Sequence, residues 1–523
     1  MLFLLGKKQA NDLDSILIGR EQEIESLEGI WKGFKDKKSQ RLIVSGNPGV
    51  GKSFLVRKYL ESKPKNEFTI IYAKSELGIQ SPLYALKQLI QQLIKKYEGE
   101  KELKNKITDR LSIYDKKVIK GAFPSLGKFL GFDFEDKESY KNLSELFEII
   151  EPLFDEVFAR SRVIIYLDDL PWLDAETAGF LPRLHKLSSD HGQLIIYTAR
   201  NDEVSQRYVD EFKTNLKGHI ETINVEKLNE EDSHRLVRSQ LGNRPVQGDV
   251  TQLLNARADG NPFSLTVFIA AMKEAEIVQF SWGKWALKSD NITELNLPNS
   301  VMDVIISRIE SLPAETRSFL EVAAFDGTKF DLSRCVNAAG ISEDRIPFII
   351  SSAMEAKLIE VDDADKVAFV HDRVVESLTS RVSKTQGEAV HALLAQGLIR
   401  EFESGTHDDI YSLCNHLLAA GENIGSDVKS VWIERAGERA LKEHLNGEAK
   451  KYLIESARLR KINKTPFDHR LYSMLADVHF RDFEFNEALS YFHQAIQTCS
   501  DPLARAGYRL TIAKDYDERI NDV

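Results

Sequence analysis

Gly46-Asn47-Pro48-Gly49-Val50-Gly51-Lys52-Ser53 has the spacing G-x-x-x-x-G-K-[ST]. Those types at that spacing suit phosphate binding. Glycines let backbone N–H groups curl around phosphate oxygens, and a helix opening at Lys52 would add its partial positive charge. Lys52 would reach the β- and γ-phosphates, and the Ser53 hydroxyl would ligate Mg²⁺. A second set is Asp168-Asp169. A carboxylate closing a buried strand on the same sheet edge can hold Mg²⁺ through water, which assigns Asp168 to the metal. Asp169 would polarise an attacking water.

Three further groups have two readings each. Arg200, in Thr198-Ala199-Arg200, either reaches a γ-phosphate or is a surface arginine in a loop. Gly260-Asn261-Pro262-Phe263 is either a turn between helices or a rigid corner against a nucleotide. His371, in Val370-His371-Asp372 at the end of the expected wing, is either a structural or surface residue or a ligand, and spacing alone does not place it near the phosphates.

The elements that must position these residues follow from periodicity. Arg41–Ser45, Phe68–Tyr72, Val163–Leu167 and Leu194–Thr198 are short apolar runs that read as buried strands. Phe54–Leu60 after the glycine loop has helical spacing, as does the stretch through Glu23, Leu27 and Trp31. Strands alternating with helices predict a parallel sheet covered on both faces, a three-layer α/β P-loop domain over 1–225. Residues 95 to 140 are Lys-rich and read as surface helices with a loop at Gly121 to Gly131. Ser81 and Pro82 open a helix before them, after Ile16-Leu17-Ile18 at the start of the domain. A helical domain is expected over 226–290, capped at Asn229 and ending in a hairpin that turns at Gly283. Helices from Leu297-Pro298 and a hairpin around the acidic turn at 362–366 predict a winged helix over 291–385. The rest, 386–523, is helical. Trp432, Ala436, Ala440, Ala449, Leu453 and Ala457, then Tyr472, Leu475, Ala476, His479, Ala488, Phe492 and Ala495, have small/large spacing like that of tetratricopeptide helix pairs.

At 523 residues the chain needs several cores. Its three cysteines, Cys335, Cys414 and Cys499, lack metal-ligand spacing and suit a reducing cytoplasm. No apolar run is long enough to span a membrane. The net charge of −11 disfavours a large nucleic-acid surface, and residues 301–385 carry 10 Lys/Arg against 15 Asp/Glu. A DNA-binding initiator-type ATPase gripping a duplex with its winged helix is therefore the secondary reading.

Taken in order, these boxes resemble those of the STAND signal-transduction ATPases, within the AAA+ relatives. Ile18-Gly19-Arg20-Glu21 resembles the opening box, which implies contact of Ile18, Gly19 and Arg20 with adenine or ribose. Asp168-Asp169-Leu170-Pro171-Trp172 resembles the Walker B tail, and Thr198-Ala199-Arg200 the sensor strand. Gly260-Asn261-Pro262-Phe263 implies that Pro262 packs on the nucleotide. Val370-His371-Asp372 implies that His371 touches the β-phosphate of ADP. The expected nucleotide cradle is then Ile18, Gly19, Arg20, Gly46, Asn47, Pro48, Gly49, Val50, Gly51, Lys52, Ser53, Phe54, Pro262 and His371. Lys52, Asp168, Asp169 and Arg200 serve hydrolysis, and Ser53 and Asp168 hold the metal. The resemblance implies ATP/ADP and Mg²⁺ as ligands, a slow regulatory ATPase, nucleotide-dependent self-assembly and a protein partner or ligand on the C-terminal helices. Asp-Asp in place of the Asp-Glu usual in AAA+ motors favours a switch over a motor.

Overall fold

The computed structural model describes residues 17–64, 67–75, 82–132, 143–216, 219–288, 301–361, 367–443, 445–482 and 484–521. Ile16, Ser81, Leu297-Pro298 and the turn at 362–366 lie outside them. The chain divides into two compact units, one of residues 1–78, 83–97 and 153–381, the other of 79–82, 98–152 and 382–523.

The first unit holds a parallel five-stranded sheet: β1 (Gln40–Gly46), β2 (Thr69–Lys74), β3 (Val163–Asp168), β4 (Leu194–Arg200) and β5 (Glu221–Val225), in the order β2-β3-β4-β1-β5. β3 is buried throughout and β4 up to Ala199, because helices cover both faces. β5 is an edge strand that buries only Ile223 and Val225. Its half-exposed pattern lacks the apolar run that marks the other four, so sequence reading missed it. Register decides which side chains share the sheet edge. Lys74 pairs with Asp168, and Gly46 with Arg200. The chemistry-bearing residues thus end their strands together, where open α/β sheets bind ligands.

The same unit continues with helices Glu230–Gln240, Gly248–Ala258 and Pro262–Glu274, and the antiparallel hairpin β6 (Val278–Ser281) and β7 (Lys284–Leu287). Asn229 caps the first helix by accepting from the Asp232 N–H at 2.8 Å. Helices Val301–Ser311, Ala314–Asp326, Leu332–Ala339 and Ile346–Glu355 precede helix Asp372–Arg381. Among them β8 (Lys329–Phe330), β9 (Ile359–Val361) and β10 (Val367–Phe369) form an antiparallel sheet in the order β8-β10-β9.

The described part of the second unit is helical. Ser426–Lys442 pairs with Asn446–Ile462, and His469–Arg481 with Phe485–Thr498. Ala436 and Ala440 are fully buried in one apolar cluster with larger side chains such as Trp432 and Leu453. The expected loop at Gly121 to Gly131 is instead the end of helix Ile113–Ala122 and all of helix Pro124–Leu130. Pro124 opens the latter at its first position, where no N–H is needed. A Cβ on Gly127 would stand 3.1 Å from the Lys120 Cα, so that glycine serves close helix approach and not a turn. No described helix is long and apolar enough to cross a membrane.

Candidate functional site

The glycine loop joins β1 to helix Lys52–Glu61. Gly49 and Gly51 take φ of 83° and 96°, backbone open to glycine at little cost. Each carbonyl from Gly46 to Val50 accepts a hydrogen bond. Lys52 Nζ donates to the Gly46 and Asn47 oxygens at 3.0 and 3.2 Å. Asn261 Nδ2 donates to Pro48 O at 2.9 Å, and the Phe263 N–H to Gly49 O at 3.3 Å. Arg20 Nη2 donates to Val50 O at 2.8 Å. Across a trans peptide the N–H points opposite to the C=O. Fixing these carbonyls therefore fixes the N–H groups of Asn47, Gly49 and Gly51, the arrangement that receives an anion.

Each donor is itself placed by its own element. Arg20 is buried at the start of helix Glu21–Lys35 and also donates to Glu226 O at 2.9 Å, just past β5. Gly19 precedes it with φ of 65°, where a Cβ would collide with the Asp232 side chain. Asn261 caps helix Pro262–Glu274, so one residue starts a helix and braces the loop. Pro262 is the first residue of that helix. Ile18 lies half-buried beside Gly19, and Phe54 is half-buried in the first turn of the loop's helix. Burial lowers the Lys52 ammonium below the usual lysine range, partly opposed by the Asp169 charge.

Asp168 is buried at the end of β3. Its Oδ1 accepts from Ser53 Oγ at 2.8 Å, from Tyr166 OH at 2.8 Å and from the Thr198 hydroxyl. Its Oδ2 accepts from Tyr72 OH at 3.3 Å. The Asp169 N–H donates to Thr198 Oγ1 at 2.8 Å, and Asp169 takes φ of 61°. Burial, and then the Asp168 charge, raise the Asp169 carboxyl to about 6. Arg200 Nε stands 4.0 Å from Asp169 Oδ1 and Arg200 Nη2 3.5 Å from Asp372 Oδ2, while Lys74 Nζ is 3.6 Å from Asp372 Oδ1.

The His371 ring stacks on Phe263 with centroids 4.0 Å apart and planes 27° apart. Its Nδ1 accepts from the Arg373 N–H at 3.1 Å, which leaves Nε2 to carry the proton of the neutral ring. Burial lowers the imidazole to about 4, against the pull of Asp372. The structure therefore joins boxes that lie far apart in sequence. Phe263 touches Gly49 with its backbone and His371 with its ring, and Asp372 meets Arg200.

Sequence reading did not single out Tyr72, Tyr166 or Lys74. Tyr166 carried a usable signal: two residues before Asp168 on a strand, it shares that residue's face. Tyr72 and Lys74 carried none, because their roles depend on the β2–β3 register.

These residues suit a magnesium nucleotide. A Cβ on Gly51 would meet nothing within 4 Å, so the loop leaves open space there, and Ser53 and Asp168 offer hard oxygen donors. Among the described residues no cluster of three His, Cys, Asp or Glu could cage a metal alone, which is normal for an ion shared with phosphates.

The family model for the AAA ATPase domain matches residues 16–197. That stretch holds the phosphate loop, three of the five parallel strands and most of a fourth. No curated protein matches the chain. A Pyrococcus horikoshii STAND protein with a tetratricopeptide repeat sensor is similar at 16% identity and a TM-score of 0.51, covering 96% of this chain and 68% of that one. Two more distant structures are the Aeropyrum pernix ORC1 protein in complex with DNA and domain III of Thermotoga maritima DnaA. The first has 13% identity and a TM-score of 0.33 over 71% of this chain and 95% of that one. The second has 12% identity and a TM-score of 0.29 over 51% and 91%. The chain thus shares the fold of that STAND protein over most of its length.

Proposed function

We propose that the chain is a cytoplasmic ATP/ADP-controlled signalling switch that hydrolyses ATP slowly. The observation that carries this reading is the His371–Phe263 stack beside Gly49, with Asp372 between Lys74 and Arg200. A motor or a plain hydrolase has no evident need for such a contact. In a switch it ties the part carrying His371 to the phosphate loop. Residues 1–225 bind nucleotide through the loop N–H groups and Lys52. Bound Mg²⁺ would be held by Ser53 and, through water, by Asp168, and would offset phosphate charge. Asp169 orients the attacking water and Arg200 reads the γ-phosphate. Residues 226–290 brace the loop through Asn261. Residues 291–385, taken as a winged helix, close on ADP through His371. Residues 386–523, taken as tetratricopeptide-like, receive a protein partner or ligand that favours opening, ATP exchange and self-assembly.

A duplex-gripping role is less well supported, since residues 301–385 carry 15 acidic against 10 basic residues. The test is the nucleotide carried by freshly purified protein, with particle mass measured in ADP and in ATP. Bound ADP on a monomer, with larger particles in ATP, is expected. Protein that carries no nucleotide, and has one mass in ADP and in ATP, would defeat the switch.

A further inference from the structure

Asp168 is surrounded by more hydroxyls than a magnesium-linked carboxylate needs. Tyr166 lies two residues before it on β3, on the same face. Tyr72 is the register partner of Tyr166 on β2, with ring centroids 5.1 Å apart. Buried strands of parallel sheets are normally all apolar, and phenylalanine would fill the same space. A buried hydroxyl is unfavourable unless bonded. Both of these are bonded to the same carboxylate, Tyr166 to Oδ1 at 2.8 Å and Tyr72 to Oδ2 at 3.3 Å. An ionised carboxylate only accepts, so both phenols act as donors to it.

A carboxylate has roughly four lone-pair sites. Ser53, Tyr166, Thr198 and Tyr72 supply four hydroxyls to Asp168. Three of them crowd Oδ1 and only Tyr72 reaches Oδ2, so a water on Mg²⁺ that donates to Asp168 meets the Tyr72 hydroxyl at Oδ2. Tyr72 makes the longest of these contacts, and on the less crowded oxygen. We propose that the two tyrosines are positioning residues with opposite effects on metal coupling: Tyr166 anchors Asp168, and Tyr72 competes with the metal-bound water for Oδ2. This rests on the nucleotide-binding reading above.

The test is ADP affinity of the full chain, measured by fluorescent-ADP titration with Mg²⁺ and with EDTA. The ratio of the two is the metal coupling. Tyr72→Phe should raise that ratio by roughly threefold to tenfold, and Tyr166→Phe should lower it by a similar factor, as expected for one hydrogen bond to a charged group. Affinity in EDTA should stay within about twofold for both, since neither residue meets the phosphate loop. A packing defect would instead move both variants the same way and alter the EDTA value. Shifts of equal sign, or ratios equal to the parent's, overturn the proposal. If the parent binds no ADP in either buffer, the nucleotide reading itself falls, and the clamp with it.

Discussion

The phosphate loop and the Val370–Asp372 corner are held in different ways. The loop's carbonyls accept hydrogen bonds of 2.8 to 3.3 Å. Two of its donors, Arg20 and Lys52, are 5% and 7% exposed. The corner's side chains meet Phe263, Arg200 and Lys74 through one ring stack and ion pairs of 3.5 and 3.6 Å, in which the Asp372 side chain is 33% exposed. Short buried bonds are hard to replace with water, whereas long exposed ion pairs contribute only about 0–1 kcal/mol. The loop is thus preorganised for an anion, and the corner's side chains are the more weakly held of the two.

If that contrast is right, the largest effects come from the loop. Lys52→Ala removes a cation that would make charge-assisted bonds to two phosphates. At roughly 1.5–3 kcal/mol each, nucleotide affinity should fall by about a hundredfold or more. Calorimetric titration with ATP checks this, and parent-like binding would mean the site is misassigned. Asp169→Asn should act on turnover instead. Losing a group that polarises water lowers the rate by roughly 10²–10⁴. ADP affinity should stay within about threefold. Phosphate-release assays beside the same titrations separate the two, and a variant that keeps parent turnover would remove Asp169 from the chemistry.

Legibility in the sequence follows the same divide. The placement of the loop, its flanking strand and helix, and Asp168-Asp169 was readable because it is local: spacing alone puts Lys52 and Ser53 at a helix start. Asn261 and Phe263 were legible as a motif, but their contacts with Pro48 and Gly49 were not, since they span more than 200 residues. The corner was readable only as a resemblance, because no periodicity can say that the His371 ring meets Phe263. β5 was missed, and a loop was expected at Gly121 to Gly131, for a different reason. An edge strand loses half its apolar signal, and a glycine needed for close packing looks like one needed for a turn.

The corner should give intermediate effects. His371→Ala removes the stack on Phe263 and the Nε2 donor. One charge-assisted bond to a phosphate would be worth roughly 1.5–3 kcal/mol. ADP should then leave about tenfold to a hundredfold faster, measured by stopped-flow displacement. An unchanged off-rate would leave His371 a structural residue. The pH dependence of nucleotide-free protein sharpens the point. The stacked imidazole titrates at about 4, below the ordinary value of about 6.5 that it regains on release. Between those values the released ring takes up a proton that the stacked ring resists. The stabilisation is therefore fully present above about 6.5 and is lost as pH falls toward 4. His371→Phe keeps a ring and removes the titration, so its melting temperature should fall less than the parent's across that window.

The smallest effect belongs to Asp372→Asn, and it distinguishes a releasable corner from a fixed one. The change keeps the side chain's shape and removes its charge, so the ion pairs with Arg200 and Lys74 go while the His371 stack remains. Partly exposed pairs at 3.5 and 3.6 Å should be worth no more than about 1 kcal/mol, or roughly fivefold in ADP release. They are also screened by salt, with a Debye length of about 10 Å at 0.1 M. The parent's off-rate should therefore rise with ionic strength toward that of the variant, whose own rate should respond less. Arg200 faces both Asp169 and Asp372, so freeing it from one strengthens its pull on the other. Asp372→Asn should accordingly leave ATP turnover intact or slightly raised while it speeds ADP loss. A loss of fiftyfold or more, insensitive to salt, would show instead that Asp372 is as firmly built in as Arg20. The corner would then be part of the permanent frame around the loop, with no release to control.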